Sequence, residues 1–386
     1  MARARPLPSG TIPEYPNPFN PGFGVDPPFV AGRAAVIHRL LANLNDGPGR
    51  ATYLNIVVGG RGVGKTVLLN QIQQIVTTEY RWPVLRWTAG PDESFAAALS
   101  DEYDRIVRAL GHRRRGRVTA SKVGVSAGVV SADVELTASE RRPTTVPAMF
   151  RRLGEQAAAR HRQVILLVDE LQAGNDASLR ALSAGLQETN GSRLPVGLVA
   201  VGLPVVARRL RDVDGITFLE RQRPIELGNL DDGATREAIT QPIVDAGRSI
   251  TDAAANLLVE FCGGYPYAIQ LAAFHTWEAA GAAGTIGIEH ARRGIAVARE
   301  ELDDLYESRW ERLSPAMQEY LRAVVAELDA EGKASTGAVA QRMGHPVTQV
   351  AKQRDALIVQ HQLLQPAGRG FVTVSLPGMT EWVRRR

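Results

Sequence analysis

The chain has 386 residues, of which 44% are hydrophobic and 22% charged, and a formal net charge of +4 at pH 7. This length suffices for two or three domains with cores of their own, and the excess of basic residues is compatible with a polyanionic partner. The single cysteine, Cys262, excludes an intrachain disulfide, and we interpret it as a small buried hydrophobic residue. The sequence shows neither a secretory signal nor an apolar run approaching about 18 residues, so we expect a cytoplasmic protein that has no contact with membranes.

The first part of the chain alternates between short apolar strands and amphipathic helices. Residues 1–28 precede them and are rich in proline, which disfavours a helix there. Strands that alternate with helices predict a parallel sheet with helices on both faces, the α/β class. The predicted strands are Tyr53–Val58, Pro83–Trp87, Val164–Val168, Val196–Val201 and Ile225–Leu227, and the predicted helices are Arg33–Leu44, Lys65–Thr77, Asp92–Leu110, Val146–Arg160 and Asp176–Thr189.

Three later segments depart from this alternation. Residues 111–146 form an insertion that begins with a basic run and continues as a hairpin-like stretch rich in glycine and serine. Residues from Asp231 to about Ile295 are predicted to be helical throughout. From Ser314 onward the order of helix, short helix, longer helix and strand pair is the outline of a winged helix, in which Val347–Leu363 is the expected recognition helix.

A glycine-rich loop follows the first predicted strand. It fits the pattern G-x-x-x-x-G-K-[ST], and a helix follows it, as a phosphate-binding loop requires. The backbone N–H groups of such a loop and the start of the helix bind phosphates, Lys65 reaches the β- and γ-phosphates, and Thr66 binds Mg²⁺. A chance glycine-rich turn is the alternative interpretation. The predicted ATP-binding residues of the loop are Gly59, Gly60, Arg61, Gly62, Val63, Gly64, Lys65, Thr66 and Val67.

An acidic pair ends the third predicted strand. Asp169 follows the apolar run Val164–Val168, which places its carboxylate beside the phosphate loop, where it can hold Mg²⁺ together with Thr66. Glu170 is then placed to orient or deprotonate the attacking water. The alternative is that Glu170 only caps the next helix. We interpret the pair as a sign of ATP hydrolysis.

Several arginines lie between the last two predicted strands, and one of them is a candidate arginine finger. An arginine that a subunit presents to the γ-phosphate of its neighbour stabilises the charge of the transition state. The candidates are Arg221 and, after it, Arg223, and surface salt bridges without a catalytic role are the alternative interpretation. This assignment predicts a homo-oligomer in the ATP-bound state.

These segments together resemble an AAA+ ATPase, of the branch that origin-recognition initiators share with STAND-type ATPases, and in particular actinobacterial initiator-like ATP-binding proteins. The stretch Phe29-Val30-Ala-Gly-Arg33 resembles the box that touches adenine, and Gly264-Tyr-Pro266 resembles the lid helix start, where Pro266 would lie near the base. Two departures stand out. No polar side chain ends the strand at Val201-Gly202, and no arginine follows Gly264, so slow or partner-dependent turnover is expected.

The resemblance implies four regions and a role in DNA binding. The regions are a proline-rich segment (1–28), an ATPase core (29–228), a helical lid (229–300) and a winged-helix domain (301–386). Candidate partners are double-stranded DNA and a protein effector. The candidate DNA contacts are Arg113, Arg114, Arg115 and Arg117 in the insertion and Lys352 and Arg354 in the recognition helix.

Less specific interpretations remain open for these DNA contacts. The insertion is alternatively a solvated loop, and the winged helix a surface for protein contacts. For the whole chain the alternatives are a STAND-like regulator of a protein partner, for example in phage defence or transcription, and a protein-remodelling ATPase. The remodelling class usually carries pore-loop aromatics, which Trp87 matches poorly.

Overall fold

The computed structural model describes residues 16–22, 27–111 and 142–386, apart from 217, 218 and 220. Its main sheet has five parallel strands in the order β2-β3-β4-β1-β5. The predicted strands are confirmed, each to within one residue at either end. The strands are β1 (Leu54–Val58), β2 (Val84–Thr88), β3 (Val164–Asp169), β4 (Val196–Gly202) and β5 (Ile225–Glu226).

Helices cover both faces of this sheet, as the α/β prediction requires. Side chains of β1 alternate between the two faces, because successive residues of a strand point in opposite directions. Ile56 belongs to one hydrophobic cluster with helices α3 to α5, whereas Val57 belongs to another with α1 and α2. The helices are α1 (Ala34–Asn45), α2 (Lys65–Thr78), α3 (Phe95–Gly111), α4 (Val146–Ala158), α5 (Asp176–Gly191) and α6 (Val206–Arg211).

A helical region follows the sheet. It contains α7 (Asp232–Asp245), α8 (Asp252–Cys262), α9 (Pro266–Ala280) and α10 (Ile288–Trp310). Two features differ from the sequence prediction. Residues Ser249–Ile250 (β6) and Thr285–Ile286 (β7) form a short parallel pair, which is too brief to leave a periodic signal. Helix α10 continues well beyond Ile295, so the expected domain boundary at residue 300 falls inside a continuous helix.

The C-terminal region has the predicted order of three helices followed by two strands. An additional strand pairs with them, giving an antiparallel sheet in the order β8-β10-β9. The elements are α11 (Pro315–Ala326), β8 (Ala334–Ser335), α12 (Thr336–Arg342), α13 (Val347–Val359), β9 (Leu364–Pro366), β10 (Phe371–Val374) and α14 (Met379–Arg384).

One hydrophobic core connects the helical region with the C-terminal region. Trp310 at the end of α10 packs against Trp382 of α14, with ring centroids 5.8 Å apart, and both belong to the same buried cluster as Ile269 of α9. The N-terminal segment joins this core through Phe19, which is 2% exposed. Within the described residues, no helix combines the length and apolar character needed to cross a membrane.

The C-terminal region also packs against the region of the parallel sheet. Nε of Arg61, in the glycine-rich loop, donates a hydrogen bond of 2.5 Å to Oε1 of Gln362. Nη1 of Arg208 in α6 lies 3.6 Å from Oδ2 of Asp355 in α13. Helix α13 therefore lies beside α6, and the segment that follows α13 lies beside the glycine-rich loop.

Candidate active site

The glycine-rich loop connects β1 to α2 and depends on glycine at several positions. Gly62 and Gly64 have φ angles of +74° and +90°, which side chains with a Cβ atom rarely adopt. A Cβ atom on Gly59 would lie 2.4 Å from the carbonyl oxygen of Leu227, so the loop can pass β5 only because that atom is absent. The loop leads into α2, and the free N–H groups at the start of a helix favour the binding of an anion.

Lys65 is held beneath this loop. Its side chain is buried, and Nζ donates hydrogen bonds to the carbonyl oxygens of Gly59 (3.1 Å) and Gly60 (2.7 Å). Burial lowers the pKa of Lys65, while the carboxylates of Glu170 and Asp169 act in the opposite direction. These contacts hold the ammonium group of Lys65 in the loop, where its positive charge would face a bound polyphosphate.

Thr66 and Asp169 meet in the position expected of a metal site. Oγ1 of Thr66 donates a hydrogen bond of 2.9 Å to Oδ2 of Asp169, which is 4% exposed. Oδ1 of Asp169 accepts a bond of 2.9 Å from the backbone N–H of Glu170, and Arg86 lies 3.9 Å from Oδ2. Two adjacent oxygen ligands fit Mg²⁺, which usually takes its remaining ligands from water and phosphate. Among the described residues, no group of three or more His, Cys, Asp or Glu side chains is arranged to hold a metal by itself.

Glu170 adopts an unusual backbone conformation for a residue with a side chain, with φ +52°. Its carboxylate accepts a hydrogen bond from Nε2 of Gln172, and Oε1 of Gln172 in turn accepts a bond of 2.9 Å from the N–H of Leu203. The side chain of Glu170 makes no capping bond, and Asn175 caps α5 instead. Gln172 thus connects Glu170 to the end of β4, a link that sequence analysis missed.

A cavity of about 330 Å³ opens beside the loop, between the region of the parallel sheet and the helical region. Phe29, Val30 and Pro266 line it, together with Asn20 to Gly22 of the N-terminal segment. Arg33 also borders the cavity, but its guanidinium donates to the carbonyl oxygens of Val63 (2.9 Å) and Gly228 (2.8 Å). Arg33 therefore fixes the loop to the end of β5.

Two further residues of this cavity were missed. Tyr265, just before α9, is 4% exposed, and a Cβ atom on Gly62 would lie 2.4 Å from its hydroxyl oxygen. Burial raises the pKa of Tyr265 to about 12. Arg309, near the end of α10, lines the same cavity. No sequence motif marks Arg309, because only the packing of α10 brings it to the loop.

The candidate arginine fingers lie elsewhere. Arg221 and Arg223 are exposed and do not line the cavity. The side-chain amide of the intervening Gln222 lies within 3.0–3.1 Å of the carbonyl oxygens of Ala51 and Leu54, at the start of β1. Gln222 therefore lies near the start of β1, whereas the glycine-rich loop follows the end of that strand.

The candidate DNA contacts have different surroundings. Lys352 is exposed on α13, whereas the guanidinium of Arg354 donates to Oδ1 of Asp355 (3.1 and 3.2 Å). The carboxylate of Asp355 also faces Arg208 of α6. The two residues therefore lie on different faces of the helix. Arg113, Arg114, Arg115 and Arg117 lie outside the described residues.

Comparisons with known proteins agree with this geometry. Residues 30–199 match the AAA ATPase domain, and residues 303–383 match a domain of unknown function (DUF8462). A search of curated proteins finds no match.

Two solved proteins share the fold over nearly the whole chain. A Walker-type ATPase of Pyrococcus abyssi has a TM-score of 0.63 at 13% identity, over 92% of this chain and 96% of that one. The ORC2 protein of Aeropyrum pernix in its ADP form has a TM-score of 0.53 at 16% identity, over 95% and 96%. Its ADPNP–ADP complexes give 0.52 at 16% identity, again over 95% and 96%. At these identities the likeness concerns the fold. The chain is thus similar to AAA ATPases over residues 30–199 and has the α/β fold of P-loop NTPases.

Proposed function

We propose that the chain binds and hydrolyses ATP and that the ATP-bound state assembles on double-stranded DNA. The observation that carries the ATPase part is the convergence of Lys65, Thr66, Asp169 and Glu170 beside one cavity. The match to the AAA ATPase domain supports it, because the matched range includes all four residues.

In the proposed reaction each of these side chains has one role. Lys65 and the N–H groups of the loop bind the phosphates, and Phe29, Val30 and Pro266 form the side of the cavity toward the base. Thr66 and Asp169 would hold Mg²⁺, which neutralises charge on the phosphates when it is bound. Glu170 orients the attacking water and accepts its proton, while Gln172 fixes the direction of the Glu170 carboxylate.

The proposed assembly rests on the location of Arg221. This residue is exposed and lies away from its own cavity. It is therefore free to approach the γ-phosphate bound by a neighbouring copy, which requires a homo-oligomer. Arg223 is the second candidate for the same contact.

The proposed DNA contact rests on the C-terminal region, which has the order of elements of a winged helix. Helix α13 presents Gln349 and Lys352 to solvent, and Lys352 has no ion pair with any described residue. A helix with exposed polar and basic groups suits the major groove of DNA. The basic insertion would add sequence-independent contacts with phosphates.

A second candidate function is a STAND-like switch that controls a protein partner. The observation in its favour is the contact between the glycine-rich loop and the C-terminal region, formed by Arg61 and Gln362 and supported by Arg208 and Asp355. Such a contact links the occupancy of the loop to the position of the C-terminal region. This candidate predicts tight, slowly exchanging nucleotide and no affinity for DNA.

The proposal is tested by separating binding from hydrolysis. Glu170→Gln should bind ATP like the wild type and lower turnover about 100-fold or more, the range expected for loss of a general base. Lys65→Ala should lose ATP binding. Fluorescence anisotropy on a labelled duplex, with ATP, ADP or no nucleotide over a salt series, then tests DNA binding. Normal hydrolysis by Glu170→Gln would contradict the catalytic assignment, and absence of DNA binding at low salt in every state would favour the protein-directed switch.

A further inference from the structure

Arg309 brings a partly buried charge with an unsatisfied donor to the cavity. Its Nε atom is buried and has no hydrogen-bond partner among the described residues. Burial lowers the pKa of Arg309, and the positive charges of Arg61 and Arg312 lower it further. The hydroxyls of Tyr265 and Tyr306 act on this pKa in the opposite direction.

The other basic side chains of the cavity are already engaged. Arg33 donates to Val63 and Gly228, Lys65 to Gly59 and Gly60, and Arg61 to Gln362. Among the described residues that line the cavity, Glu170 alone is acidic, against four positively charged side chains. An unpaired, partly buried charge is costly, and a polyanionic ligand would remove that cost.

The surroundings of Arg309 place it at the phosphate end of the cavity. Its electrostatic neighbours are Arg61 of the glycine-rich loop and Tyr265, whose hydroxyl touches Gly62. Arg309 is supplied by α10 of the helical region, whereas Arg61 and Gly62 belong to the glycine-rich loop on the same cavity.

We propose that Arg309 binds the terminal phosphate of ATP and thereby distinguishes ATP from ADP. This inference rests on the proposed function, since it assigns a residue to the same nucleotide site. Arg309 approaches from the helical region, opposite the loop, so that the triphosphate joins the two sides of the cavity. Helix α10 continues into the core of the C-terminal region through Trp310, and loss of the terminal phosphate therefore releases a contact at the base of that region.

The test compares nucleotide affinities by isothermal titration calorimetry in Mg²⁺. Arg309→Gln should weaken ATP binding about tenfold or more, as expected for a charge-assisted hydrogen bond, and ADP binding by less than about threefold. Arg309→Lys, which keeps the charge, should recover part of the ATP affinity. Arg312→Gln is the matched control, because Arg312 is exposed near the same helix end and does not line the cavity. This control should bind both nucleotides like the wild type.

The outcomes separate the two claims. Equal losses for ATP and ADP, or no loss for either, would overturn the assignment of Arg309 while leaving ATP binding by the wild type intact. A wild-type chain that does not bind ATP would contradict the proposed function itself. A fall in melting temperature of Arg309→Gln without nucleotide, together with parallel losses for ATP and ADP, would indicate a purely structural role.

Discussion

The hydroxyl of Thr66 lies 2.9 Å from Oδ2 of Asp169, although strand β4 separates β1 from β3 in the sheet. The loop after β1 therefore reaches across the end of β4 to the end of β3. Gly202 stands at that end, where a Cβ atom would lie 2.5 Å from Oε1 of Gln172. The absence of a polar side chain at the tip of β4 thus has a physical reason, since Gln172 occupies the space.

The contact between Thr66 and Asp169 predicts a metal-dependent phenotype. Thr66→Ala removes one oxygen ligand, so the gain in ATP affinity that Mg²⁺ provides should fall about tenfold, whereas affinity without metal should change little. Titration with ATP in Mg²⁺ and in chelator measures both quantities. Thr66→Ser keeps the hydroxyl and serves as the control. Equal Mg²⁺ dependence of Thr66→Ala and the wild type would exclude Thr66 as a ligand.

The link from Glu170 through Gln172 to Leu203 predicts a defect in turnover. Gln172→Ala removes the amide that donates a hydrogen bond to the carboxylate of Glu170. Because that bond fixes the direction of the carboxylate, kcat should fall about tenfold while ATP affinity changes less than about twofold. Steady-state kinetics and binding titrations give the two values. A parallel loss of affinity and turnover would show that Gln172 shapes the cavity as a whole.

The location of Arg221 predicts complementation between inactive chains. Arg221→Ala should bind ATP normally. Its rate of ATP hydrolysis should fall about 1,000-fold or more if the arginine acts in trans. Mixing it with Glu170→Gln should restore part of the activity, because some interfaces then combine an intact Glu170 with an intact Arg221. Arg223→Ala identifies which arginine acts. Activity that is independent of protein concentration, without any rescue, would contradict a composite site.

The close approach of Gly62 to Tyr265 predicts a steric phenotype. Gly62→Ala introduces a Cβ atom in a left-handed backbone at 2.4 Å from the tyrosine hydroxyl, so the chain should lose about 1–3 kcal/mol of stability and bind ATP more weakly. Tyr265→Phe in the same chain removes the clashing hydroxyl and should recover part of the loss. Denaturant unfolding with and without ATP measures both effects, and an unchanged midpoint for Gly62→Ala would show that the two groups do not touch.

The two faces of α13 predict different effects on DNA binding. Lys352→Ala removes an exposed charge and should weaken DNA binding directly. Asp355→Asn weakens the contact with Arg208 and should expose the face of α13 that packs against α6. Asp355→Asn is thus expected to bind DNA more tightly than the wild type when nucleotide is absent. Anisotropy at fixed salt compares the two variants. Identical affinities for wild type and both variants would remove α13 from the interface.

Features of the fold and the site that have a local sequence pattern could be predicted, whereas those that depend on contacts between distant segments could not. The strands, the glycine-rich loop and the pair Asp169 and Glu170 are local patterns, each bounded by apolar runs, and the strands appear where predicted. Gln172 and Arg309 carry no such pattern, because their positions depend on packing between distant segments. The pair β6 and β7 was missed for another reason, since two residues per strand are too few to show alternation.

The single core shared by the helical and C-terminal regions has a consequence for how the chain melts. The buried residues of that cluster include Phe19 near the start of the chain and Val383 near its end. The two clusters on the faces of the parallel sheet are separate from it. Elements that share a core unfold as one cooperative unit. A calorimetric scan should therefore show the helical region and the C-terminal region melting in one transition. The parallel sheet should melt in another transition, which ATP moves to higher temperature. A chain cut at residue 300 would divide helix α10 and open that core to solvent, so neither fragment should keep it.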